Sequence, residues 1–109
     1  MTNFKEYQNF TGTTAIYPGA GSGEDIALAY LGLGLASEAG EVAGAVKKLM
    51  RDGVFDQDSF LEEVGDCLWY LSMIASELGV PLGDLAQGNM DKLQSRKERG
   101  VLGGNGDNR

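Results

Sequence analysis

Residues Ser37–Asp66 read SEAGEVAGAVKKLMRDGVFDQDSFLEEVGD. Two pairs of acids frame this stretch: Glu38 and Glu41 three residues apart, and Glu63 and Asp66 three residues apart. Residues three apart on a helix share a face, so each pair places two carboxylates on one side of a helix. Asp52-Gly53 between them is a turn signal. In an antiparallel hairpin, residues at equal height are equidistant from the turn. The midpoint of Glu41 and Glu63 is position 52, and so is the midpoint of Glu38 and Asp66. A hairpin folded at Asp52-Gly53 is therefore expected to bring four carboxylates to one level. Four carboxylates that close cannot all stay ionised unless a cation compensates them. Hard oxygen donors of this kind suit Mg²⁺, with Mn²⁺ as a substitute. Isolated glutamates are usually solvated surface charges. These acids stand among Ala, Gly, Val, Leu and Trp, residues of a core.

Outward from the hairpin, the periodicity predicts an all-α domain of about four helices spanning residues 1–109. The helix before the turn opens at Glu24 or Asp25 and runs to about Met50, with Leu28, Leu31, Leu35, Val42, Val46 and Leu49 as its apolar bulk. Gly32, Ala36, Gly40 and Gly44 recur every four residues, a smooth strip where another backbone can approach. The cost of each glycine, roughly 1 kcal/mol against Ala, implies such a contact or space for a ligand. Asp58 or Ser59 is the expected cap of the helix after the turn, which carries Leu61, Val64, Leu68, Leu71 and Ile74 to about Leu78. Trp69 reads as packing. Tyr70, four residues after Asp66, stands above the acids and is a candidate pocket wall. Gly79-Val80-Pro81 ends that helix, and a last one runs from near Leu82 to about Arg99. The expected packing sets the third and fourth helices against the second, with the first across them.

Phe4, Tyr7 and Phe10 give residues 1–14 the look of a short helix whose aromatic side packs on the bundle. Residues 15–23 form a Gly-rich linker; no Lys-Ser or Lys-Thr follows to make it a phosphate loop. Asn89, Lys92 and Arg96 share one face of the last helix, a cationic and amide surface suited to phosphate oxygens. Lys48 shares the acidic face two turns on from Glu41. Residues 100–109 hold four glycines, and mobility is expected there.

Composition narrows the function classes. Net charge is −7 with no histidine, which disfavours general nucleic-acid binding and excludes histidine-based triads. The one cysteine, Cys67, reads as a small core residue. With no cysteine pair and no signal-peptide pattern, a reducing cytoplasm is the expected location. No apolar run reads as long enough to cross a membrane.

The spaced acids resemble the motif of the MazG-like nucleoside triphosphate pyrophosphohydrolases, in the all-α NTP pyrophosphatase superfamily: Glu-Glu-x-x-Glu, a spacer, then Glu-x-x-Asp. Here it stands as Ser37-Glu38-Ala39-Gly40-Glu41 and Glu63-Val64-Gly65-Asp66. The likeness extends through Leu33-Gly34-Leu35-Ala36, Cys67-Leu68-Trp69-Tyr70-Leu71, Asn89-Met90-Asp91-Lys92-Leu93 and Gly106-Asp107-Asn108-Arg109. Such tails recur in phage and bacterial relatives. Ser37 departs from the pattern, removing one possible metal ligand. The resemblance implies a four-helix fold and Mg²⁺ held by Glu38, Glu41, Glu63 and Asp66. It implies hydrolysis of a nucleoside triphosphate to monophosphate and pyrophosphate; Glu38, whose neighbour is Ser37 rather than another acid, is the candidate to help deprotonate the water. It also implies substrate contacts from Asn89 and Lys92, an approach of the first helix to the base, and a homodimer or homotetramer with pockets lined from more than one subunit. Alternatives within the superfamily are a dUTP- or dCTP-specific enzyme and a hydrolase of (p)ppGpp. The alternative from another class is a non-catalytic acidic module that binds a partner through the glycine strip.

Overall fold

A computed structural model describes residues 1–109. Four helices follow one another without a strand: α1 (Phe4–Gly12), α2 (Asp25–Asp52), α3 (Gln57–Glu77) and α4 (Leu82–Glu98). Local chemistry sets their ends. The Asn3 side chain accepts from the Glu6 N–H at 2.9 Å and so caps α1. α2 stops at Gly53, whose left-handed φ of 71° lets its N–H reach the Leu49 carbonyl at 2.8 Å. The cap of α3 is Asp56, accepting from Ser59 N–H at 3.2 Å. This replaces the expected Asp58 or Ser59: the connection is only residues 53–56, so the helix starts earlier. α3 ends at Gly79, whose N–H meets Ser76 O while Val80 N–H meets Ala75 O.

α2 and α3 form the hairpin, and α1 and α4 pack against α3. α4 touches α1 and α3 but not α2, which corrects the expectation that the third and fourth helices both pack on the second. As a result few side chains are enclosed. The buried centre is Tyr17, Ala27, Leu31 and Met73, with Ala15, Trp69, Tyr70 and Ile74 partly covered around it. Tyr17, in the segment expected to be linker, is thus a core residue. Many expected core positions are half open, among them Leu61, Val64, Leu68 and Leu93. The radius of gyration is 16.5 Å, against about 13 Å for a compact chain near this length.

Three more expectations change. α1 does not dock through its aromatic stripe: Phe4 and Phe10 are exposed, and Thr11 is its buried residue. Thr11 shares a 2.8 Å hydrogen bond with Ser72, and two small hydroxyl residues allow a closer approach than two rings. Gln8 adds a polar bridge, accepting from Leu82 N–H at 2.7 Å and donating to Val80 O at 2.9 Å. Among the glycines, Gly32, Gly40 and Gly44 face open space within the chain. The close approach is at Gly34, where a Cβ would fall 2.1 Å from the Tyr70 ring. Finally, α2 is by length and composition alone apolar enough to cross a membrane, with a mean hydropathy of 1.3 over its best window. That apolarity comes from its Ala, Gly and Leu run. The same helix carries Glu38 and Glu41 and lies along α3.

Candidate metal centre

The hairpin brings Glu38 of α2 together with Glu63 and Asp66 of α3: one carboxylate oxygen from each lies within 4.8 Å of the others. Glu38 and Glu63 are half-buried, and Asp66 is exposed. No Lys or Arg pairs with any of the three; the ion pairs of the chain lie at Asp52 and Asp107. The Glu63 carboxyl is consequently held above the usual carboxylate range. Its hydrogen bond with Glu38 is the largest cause, followed by burial and the charges of Glu38, Glu41 and Asp66. Like charges gathered at one point favour the protonated form of one of them. Three carboxylates in reach of one point, uncompensated and open to solvent, fit a hard divalent ion.

Glu41, the fourth acid expected here, stands outside that triad. It is exposed, though its charge still acts on Glu63. The acids divide between two recesses. Glu41 and Glu63 border one of about 350 Å³ at the turn end, with Lys48, Phe55 and Phe60 also in its wall. Phe55 and Phe60 pack there with ring centroids 5.0 Å apart. Lys48 makes no ion pair with the acids. Glu38 and Asp66 border the other recess, about 340 Å³, together with Trp69 and Tyr70. A larger recess of about 720 Å³, where α1 meets the α3–α4 connection, contains none of these acids.

Tyr70 is therefore beside the acids, as its spacing from Asp66 implied. Its hydroxyl is pushed up, first by burial, then by Tyr30 and the charge of Glu38. Behind it runs an aromatic file that the sequence reading missed. Trp69 meets Tyr70 edge-on at 5.1 Å and Tyr17 at 6.2 Å, and Tyr17 stacks on Tyr30 at 5.3 Å. Trp69 Nε1 donates to Thr14 at 2.8 Å. Tyr7 of α1 was also missed as a site neighbour. Burial raises its hydroxyl pKa, and the charge of Asp66 adds to the shift. Its position between Phe4 and Phe10 suggests packing, and the resemblance adds only that its helix approaches the base.

A second carboxylate was overlooked entirely. Glu77 is buried and accepts from Tyr17 Oη at 2.9 Å, Gly23 N–H at 3.1 Å and Gly21 N–H at 2.5 Å. The loop N–H groups are thus spent on Glu77, which supports the linker reading of residues 19–23. Burial alone would raise the Glu77 pKa, but these donors hold it below its ordinary value. The available signal was an acid four residues after Met73, on the face of α3 that buries.

The remaining candidates lie on α4. Asn89 is exposed and Lys92 about half so. Arg96, expected to face a phosphate beside them, is buried. Its Nη2 donates to the Asp107 carbonyl at 2.9 Å and lies 3.4 Å from Asp107 Oδ1.

The family model described as MazG nucleotide pyrophosphohydrolase domain matches residues 28–101. The four acids and Lys48, Tyr70, Asn89, Lys92 and Arg96 all fall inside that match. The chain is 50% identical over 109 residues to the Gene 37 protein of Mycobacterium phage L5, covering 94% of this chain and 96% of that protein. No solved structure matches. By its matched segment, which carries the whole acidic hairpin, the chain belongs to the MazG nucleotide pyrophosphohydrolase domain family.

Proposed function

We propose that this chain hydrolyses (d)NTPs at the α–β phosphate bond, giving (d)NMP and pyrophosphate, in a nucleotide-pool house-cleaning role. The observation that carries the reading is the uncompensated Glu38–Glu63–Asp66 triad inside the matched segment. Glu38, Glu63 and Asp66, with Glu41 beside them, are the residues to hold Mg²⁺, for which Mn²⁺ can substitute. When bound, the ion supplies charge neutralisation for the triphosphate and acidifies a coordinated water.

The chain's own residues do the rest. Glu38 takes the proton of the attacking water, a role that its place beside Glu63 and Asp66 supports. The water oxygen bonds to the α-phosphorus as the α–β bridging bond breaks, and pyrophosphate leaves. Tyr70 and Trp69 wall the recess at Glu38 and Asp66 and give the nucleotide an aromatic surface beside the acids. Lys48, Asn89, Lys92 and Arg96 contact the nucleotide, the cations at phosphate oxygens.

Residues 1–109 act in this reading as one domain, with residues 100–109 as its tail. The working form is a homodimer or homotetramer. The half-open apolar faces of α2, α3 and α4 support this, as does the large radius of gyration. α4 makes no contact with α2 in one chain, which favours a pocket lined from more than one copy. No nucleic-acid or membrane partner is part of the reading. The phage relative and the lone cysteine suit a phage-encoded enzyme in a bacterial cytoplasm.

The test is incubation with Mg²⁺, then Mn²⁺, and a panel of canonical and modified nucleoside triphosphates plus (p)ppGpp, with products resolved by chromatography. Monophosphate and pyrophosphate are expected from several bases. Turnover confined to dUTP or dCTP would replace house-cleaning by a dedicated enzyme. No turnover with any substrate would overturn the enzymatic reading.

A further inference from the structure

In a chain of net charge −7, four of the nine cationic side chains gather at the end of α4: Lys92, Arg96 and Lys97 in its last turns and Arg99 at its C-cap. The C-terminal segment folds back onto this patch. Its shape is set by Arg109, whose guanidinium is the hub of a closed loop. Nε donates to the Val101 and Gly103 carbonyls at 3.1 Å each, Nη2 donates to Leu102 at 3.1 Å, and Nη1 donates to Gly106. The loop so formed delivers Asp107 to α4. Asp107 Oδ1 lies 3.4 Å from Arg96 Nη2 and 3.6 Å from Lys92 Nζ. One carboxylate oxygen stands between two cations, the position a phosphate oxygen takes at such a pair. Arg96 is also held by the Asp107 carbonyl at 2.9 Å and the Gly106 carbonyl at 3.5 Å.

We propose that residues 101–109 are a latch: Asp107 occupies the Lys92–Arg96 cation pair as an internal anion, and a polyphosphate ligand displaces it. The proposal rests on the reading of Lys92 and Arg96 as nucleotide contacts. It accounts for the burial of Arg96, whose side chain is only 6% exposed. The Lys92–Asp107 pair is open to water, with side chains 43% and 88% exposed, and such a pair is weakly held. A polyphosphate brings several charges where Asp107 brings one, so exchange favours the ligand. The Arg96 hydrogen bond, and then Lys92, keep the Asp107 carboxyl below its ordinary value; it is therefore charged wherever phosphates are.

The experiment uses the full chain, inorganic tripolyphosphate as probe, and calorimetry in metal-free buffer. Backbone ¹⁵N order parameters for residues 101–109 are measured with and without the probe. Asp107→Asn is expected to bind tripolyphosphate about two- to five-fold tighter, the factor an exposed ion pair carries. Arg109→Gln, which loosens the hub, is expected to shift affinity in the same direction. In the natural chain, order parameters of the tail are expected to fall on binding. Circular dichroism checks that both variants keep their helices. Equal or weaker binding by Asp107→Asn, a tail that stiffens on binding, or no binding by any form would overturn the latch. None of these readouts uses turnover. An inactive chain with a working latch would refute the hydrolase reading alone, and an active chain with an indifferent tail would refute the latch alone.

Discussion

α3 carries two carboxylate centres that face opposite chemical situations. At one end, Glu77 is buried and surrounded by donors: the Tyr17 hydroxyl and the N–H groups of Gly21 and Gly23. Near the other, Glu63 and Asp66 meet Glu38 with no cation and no pairing side chain. The first centre is complete within the chain and fastens the Gly-rich loop to α3. The second leaves its charges uncompensated by any Lys or Arg of the chain. Acids that the fold satisfies report on stability, and acids that it gathers and leaves unpaired report on function.

The strongest way to break this comparison is to neutralise one acid at each end. Asp66→Asn is expected to lower kcat by two orders of magnitude or more, the scale on which charge stabilisation contributes to catalysis, with far-UV circular dichroism unchanged. A variant that turns over normally would end the metal assignment. Glu77→Ala is expected to behave in reverse. It strands the Tyr17 hydroxyl and two loop N–H groups, so denaturant unfolding should show a loss of about 1–3 kcal/mol. Its kcat should change far less than that of Asp66→Asn. If the two variants exchanged phenotypes, the division between structural and functional acids would be wrong.

The smallest effect is also the sharpest, because the two centres titrate with opposite sign. Glu63 has a raised folded pKa. Its contribution to stability is full below the unfolded value of 4.5 and is lost as pH rises through the folded value. Glu77 has a lowered folded pKa. Its contribution is present above 4.5 and is lost as pH falls through the folded value. In metal-free buffer, Glu63→Gln should flatten the decline of Tm on the neutral side, and Glu77→Gln should flatten the decline on the acid side. Mg²⁺ at neutral pH should raise the Tm of the natural chain by a few degrees, and that of Glu63→Gln by less. Identical pH profiles for the two variants would remove the distinction.

The hairpin was legible in the sequence because its signals are local. Three-residue acid spacing, a left-handed glycine after Asp52 and a short apolar period are properties of neighbouring residues. Tyr70 could be placed for the same reason, by its spacing from Asp66. What escaped was set by contacts across long stretches of chain. Thr11 rather than Phe10 became the buried face of α1 because Ser72 lies opposite it. Tyr17 left the linker for the core because Glu77 and Trp69 receive it. The glycine that mattered was Gly34, outside the four-residue strip, because only there does an aromatic ring lie on the backbone. The half-open faces of α2 and α4 had looked like core because an apolar period marks a face suited to burial without showing what contacts it.

The side-chain bridges that hold the N-terminal segment are all long in sequence. Gln8 reaches Leu82 across 74 positions, Thr11 reaches Ser72 across 61, and Tyr17 reaches Glu77 across 60. The α2–α3 hairpin needs only the connection at residues 53–56. Loop-closure entropy therefore orders the folding reaction: the hairpin can condense early, and residues 4–23 close over it afterwards. The same order run backwards makes α1 and the loop the unit that opens at the least free energy while the hairpin persists. Tyr7, whose hydroxyl feels the charge of Asp66, departs with that unit, so opening of the N-terminal segment changes the electrostatic surroundings of the acidic site without unfolding the hairpin.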